Sequence, residues 1–123
     1  MVINMEPREL SPDVNALIFS GRFVLGNRLT EIENAIRQRI QQGQKKLVLD
    51  FSGLDFIDSA GIGVLAYCIN TMKEVGGNLV FVCASGQVRQ LMKLTRLDQV
   101  VGIYPDLASA QSALTGPTMP PPA

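Results

Sequence analysis

The sequence predicts an α/β domain with a mostly parallel central sheet, an N-terminal antiparallel hairpin and about four helices. Three observations carry this prediction. Short apolar runs, such as Leu47-Val48-Leu49 and Leu79-Val80-Phe81-Val82, alternate with segments whose apolar residues recur every three or four positions. Nearly continuous apolar runs suit strands buried on both faces, as in parallel sheets flanked by helices. A length of 123 residues with 46% hydrophobic content suits one compact domain with a sizeable core.

Each element follows from local chemistry. Residues Val2 to Leu10 read as a strand, and Ser11-Pro12-Asp13 as a turn, because proline presets the backbone and aspartate can cap the bend. Asn15 to Arg22 read as a second strand, which completes a hairpin. From Asn27 the period changes: Leu29, Ile32, Ile36 and Ile40 mark an amphipathic helix. Its acidic first half and basic second half match the helix dipole, and Gly43 supplies a stop.

Lys46 to Phe51 form the central strand, followed by a loop from Phe51 to Ser59. A second helix runs from near Ser59 to about Val75 and ends at Gly76-Gly77. Asn78 to Cys83 are another buried strand, Gln87 to Leu94 a third helix, and Val100 to Tyr104 a last short strand. Asp106 caps a final helix carrying Leu107, Ala110 and Leu114. The domain is expected to span residues 1–114. Residues 115–123 contain four prolines, one glycine and no charge, and read as a disordered tail. The functional loops of such a sheet lie at the carboxyl ends of its strands, which selects Gly21 to Asn27 and Phe51 to Ser59.

Composition narrows function by exclusion. Eleven basic residues balance eleven acidic ones, which gives no electrostatic footprint for nucleic acid. Histidine is absent, which removes Ser-His-Asp and Cys-His mechanisms and the commonest metal ligand. Cys68 and Cys83 stand apart in apolar surroundings and read as small buried hydrophobes in a reducing compartment. There is no phosphate loop, and Gly61-Ile62-Gly63 lacks the third glycine of a dinucleotide fingerprint. No apolar run reaches the roughly 18 residues of a membrane span, and the first ten residues show no secretory signal. The expectation is a cytoplasmic protein without catalytic residues, metal or cofactor.

The most informative segment is Asp58-Ser59-Ala60-Gly61, where the central strand meets the second helix. The first N–H groups of a helix lack partners and carry partial positive charge, a field that a phosphate on Ser59 would meet. Asp58 can cap that helix, and Asp with Ser before an apolar run is also an ordinary capping pattern. Gly61 and Gly63, inside a helix where glycine is unfavourable, suggest close backbone approach. Asp50 ends the central strand as a receiver-domain phosphoacceptor would. However, the acidic pair and the lysine such a domain needs are missing, and Asp50 reads as an acceptor of local backbone hydrogen bonds.

The string from Leu47 to Leu65, with Asp58-Ser59-Ala60-Gly61 at its centre, resembles the signature of STAS domains, specifically bacterial anti-sigma factor antagonists of the sporulation and general-stress type. Gly76 to Val82 and Gln87 to Leu97 resemble the family too, which often has glycine at the position of Arg96. The resemblance implies a switch. Such proteins bind a serine-kinase anti-sigma factor when unphosphorylated, which releases a sigma factor. The kinase phosphorylates the serine after the motif aspartate, here Ser59, and a metal-dependent serine phosphatase reverses this. It further implies a partner surface of Asp58, Ser59, Ala60, Gly61 and Ile62 with Gly21, Arg22, Phe23 and Val24, on a monomer or weak dimer. Relatives usually carry Gly-Glu-(Leu or Ile)-Asp where this chain has Gly21-Arg22-Phe23-Val24, so both acidic residues are missing. That departure leaves an alternative open, a STAS scaffold or sensor module in a stressosome-like assembly.

Overall fold

Strands β1 (Asn4–Ser11) and β2 (Val14–Phe23) form the expected antiparallel hairpin in the computed structural model, which describes residues 3–115 apart from Leu25, Asn27, Ala84 and Ser85. Val2, Asn27 and residues 116–123, assigned above to a strand, a helix start and the tail, lie outside the described residues. After the hairpin come α1 (Leu29–Gln41), β3 (Lys46–Ile57), α2 (Ser59–Glu74), β4 (Asn78–Val82), α3 (Gly86–Leu94), β5 (Gly102–Tyr104) and α4 (Leu107–Thr115). The sheet order is β1-β2-β3-β4-β5, and every pairing after the hairpin is parallel.

The periodicities resolve into two cores. In α1, Leu29, Ile32, Ile36 and Ile40 are all buried, with Glu31 in the first turn and Arg39 in the last. With α2 and α3 they cover one face of the sheet. There Phe19, Phe23, Phe51 and Phe81 form a row of ring contacts with centroids 5.1–6.5 Å apart. The opposite face carries Val14, Ala16, Val48, Val80 and Val82 and is covered by α4 through Ala110 and Leu114. Gly43 follows α1 with φ +95°, where any other residue would be strained. Both cysteines are buried, as their apolar surroundings in sequence suggest. No described helix is long and apolar enough to cross a membrane.

Besides shifts of one residue at the ends of β1, β2 and β4, three boundaries differ from expectation. β3 does not end at Phe51 but runs 12 residues to Ile57, so most of the expected loop is strand. It continues because β2 also extends, pairing Arg22 with Phe56 and Phe23 with Ile57 after two register shifts. Such bulges insert a residue into one strand and break the period-two alternation that marks a strand in sequence. Val100 is not in a strand: residues Leu97–Gln99 form a 3-10 turn that buries Leu97, and β5 starts at Gly102. Thr115, assigned to the tail, is the last residue of α4.

Candidate functional site

The carboxyl ends of β2 and β3 meet the start of α2. Asp58 is the N-cap of α2, with extended backbone, and its Oδ1 accepts the Gly61 N–H at 3.0 Å. The Asp58 N–H donates to the Phe23 carbonyl at 3.3 Å, and its own carbonyl accepts from Ile62 at 3.0 Å. The capping expected of Asp58 is therefore present. Ser59 follows as the first residue of the helix, and it is exposed. Ala60 and Ile62 are partly buried against the main core.

Of the two glycines expected to permit close approach, only Gly61 does so. A Cβ there would collide with the Phe23 carbonyl oxygen and lie 2.7 Å from Ile57 Cγ1 and 2.8 Å from Phe23 Cδ2. Gly63 has nothing within 4 Å of its Cβ position, because it faces away from the sheet. The structure thus places Asp58, Gly61 and Phe23 in direct contact, with Ser59 held between two anchored residues.

The remaining positions divide. Gly21 and Arg22 belong to β2, as the expected strand Asn15 to Arg22 had them, and Phe23 extends that strand into the expected loop. Gly21 is buried with φ +96°. Val24 is half-buried just past the strand. Arg22 is exposed on the strand and its guanidinium lies 5.0 Å from the centroid of the Phe56 ring, a cation–π contact between paired residues of β2 and β3. Asp50 is buried at the point where β4 stops pairing, and its Oδ1 accepts the Ser52 N–H at 2.9 Å, the local bond expected of it.

Three residues at this site were not singled out from sequence: Phe56, Ile57 and Gln87. The apolar character of Phe56 and Ile57 was visible, but the bulged alternation hid their strand. Gln87 stood in sequence only as the first residue of the third helix and of the stretch Gln87 to Leu97, with no sign of this contact. It reaches from α3 to the last residue of β3 across 30 positions, donating Nε2–H to the Ile57 carbonyl at 3.1 Å and accepting the Ile57 N–H at 3.2 Å.

Comparison with known proteins agrees with this architecture. The STAS domain family model matches residues 16–110. A Thermotoga neapolitana protein named as a candidate anti-sigma factor antagonist is 27% identical over 100 residues, covering 76% of this chain and 88% of that one. The crystal structure of an anti-sigma factor antagonist from Mycobacterium paratuberculosis superposes with a TM-score of 0.83 at 24% identity, over 93% of this chain and 95% of that one. The Bacillus cell fate determinant SpoIIAA, solved in its phosphorylated form, superposes with a TM-score of 0.70 at 16% identity, over 89% and 98%.

Proposed function

This chain belongs to the STAS domain family, and from that premise we propose that it is a cytoplasmic anti-sigma factor antagonist switched at Ser59. Unmodified, it binds a serine-kinase anti-sigma factor and releases a sigma factor for transcription. The kinase then transfers the γ-phosphoryl group of ATP to Ser59 Oγ, forming the Oγ–P bond as the β–γ bridge breaks and ADP and a proton leave. A metal-dependent serine phosphatase hydrolyses the ester and restores the binding form. The reading is supported by names carried by relatives of similar length.

One observation carries it: Ser59 is an exposed hydroxyl on an otherwise fixed helix start, between the Asp58 cap and the Gly61 contact with Phe23. A phosphate there adds about −1.5 to −2 charges beside Asp58. A partner packed on this surface would meet like-charge repulsion and a desolvation cost. A loss of about 1.4 kcal/mol already lowers affinity tenfold. The first N–H groups of α2 can hold the phosphate in place without a rearrangement of the fold.

The test is incubation with the cognate anti-sigma kinase and ATP, followed by mass spectrometry and binding measurements. One phosphate is expected on the wild type and none on Ser59→Ala. Phosphate on Ser59→Ala at the wild-type level would move the site elsewhere, and a kinase that ignores the unmodified chain would remove the partner class. A second reading, a scaffold or sensor in a stressosome-like assembly, is motivated by the guanidinium that Arg22 adds to this surface. Stable high-order assembly on a sizing column would select it, and a monomer or weak dimer would not.

A further inference from the structure

In a strand, the N–H and C=O of one residue point to the same side and those of the next residue to the other. At the end of β3, Asp58 directs its N–H to Phe23 on β2. Ile57 therefore directs both of its main-chain groups away from β2, to the side where β4 would lie. But β4 pairs with β3 only from Lys46 to Asp50. The Ile57 side chain is fully buried, and an unpartnered buried peptide group is costly. Gln87 fills this place. Its carboxamide carries a donor and an acceptor in one plane, as a peptide does, and it takes both groups of Ile57.

Three successive anchors result. Gln87 holds Ile57, the Phe23 carbonyl holds the Asp58 N–H, and the Asp58 carboxylate holds the Gly61 N–H. Ser59 lies between the second and the third. We propose that Gln87 is a positioning residue for Ser59: it ties α3 to the end of β3 and so sets the helix-start geometry that the kinase must meet. This rests on the reading of Ser59 as the phosphate acceptor. Gln87 touches no reacting atom. Its effect falls on the orientation of the hydroxyl, and so on kcat rather than on the docking surface that governs KM.

Two variants of the full chain test this, Gln87→Met and Gln87→Glu, by amide hydrogen exchange and by steady-state phosphorylation. In Gln87→Met the Ile57 and Gly61 amides should lose protection by about tenfold or more, and kcat for Ser59 should fall about tenfold with KM within about twofold. Near neutral pH Gln87→Glu keeps an acceptor for the Ile57 N–H but sets a carboxylate against the Ile57 carbonyl with no proton to donate, so protection at Ile57 and Gly61 and kcat should fall in the same direction as in Gln87→Met. Near pH 4 its protonated carboxyl again offers a donor and an acceptor, and protection at Ile57 and Gly61 should return to within about threefold of wild type. Should Gln87→Met fail to fold, the two pH values of Gln87→Glu decide. Unchanged Gly61 protection and kcat once Ile57 is released would overturn the proposal, as would a loss of protection spread evenly over the sheet. If wild-type Ser59 takes no phosphate, the switch reading fails, and the response of Gly61 to the release of Ile57 still decides the role of Gln87.

Discussion

Gly61 is seated on the main chain of Phe23, so closely that an added methyl group would collide with the Phe23 carbonyl oxygen. Backbone cannot move aside as a flexible side chain can. Gly61→Ala should therefore destabilise the protein by about 2 kcal/mol and displace the start of α2. Gly63, in the same helix with open space at its Cβ position, is the control: Gly63→Ala should stabilise by about 0.5–1 kcal/mol. Urea unfolding of both variants checks the opposite signs. Equal destabilisation would mean that the helix is seated differently.

Asp58 and Ser59 are neighbours with different tasks, and substitution should separate them. Asp58→Ala removes the acceptor of the Gly61 N–H and should cost about 1 kcal/mol, a fall in Tm of about 3–5 °C for a chain of this length. Ser59→Ala removes an exposed hydroxyl and should leave stability within about 0.5 kcal/mol. It should also stay bound to the anti-sigma kinase in the presence of ATP, while phosphorylated wild type loses at least about tenfold in affinity. Thermal melts and a binding titration check both.

Burial pushes the Cys68 thiol up from its ordinary 9.0 to about 12, and the charge of Glu33 pushes it in the same direction. The folded state thus keeps a proton that the unfolded chain gives up. The resulting stability is fully present below about pH 9 and is lost as pH rises from there toward 12. Urea midpoints should fall above pH 9, and less steeply in Cys68→Ala. Iodoacetamide should label Cys68 near pH 8.5 only at the rate of unfolding, and rapid labelling of the folded protein would contradict the burial.

Arg96 adopts the left-handed conformation, φ 61°, as it leads into the 3-10 turn that buries Leu97. A side chain with a Cβ is strained there and glycine is not. Arg96→Gly should raise stability by about 0.5–1 kcal/mol, the strain relief exceeding the greater freedom of glycine in the unfolded chain. A lower Tm would show that the Arg96 side chain contributes more than its backbone strain costs. Arg28 shares the conformation, φ 67°, but its guanidinium pairs with Glu31 at 2.8 Å, so glycine there should help less.

By itself the sequence determined the order of strands and helices, the buried stripe of α1, the burial of both cysteines and the Asp58 cap. Each of these is local. A period of 3.6, an apolar run or a capping side chain reports on its own few residues, whatever lies across the sheet. Only the tertiary structure decided how far β3 runs, because its last residues are strand by virtue of pairing with Arg22 and Phe23 across two register shifts. It also distinguished Gly61 from Gly63, which look alike in sequence and differ only in facing Phe23 or open space. And it brought Gln87 to Ile57: a main-chain pair left over where β4 ends can be taken by any amide that the fold carries there, and no local pattern records which one.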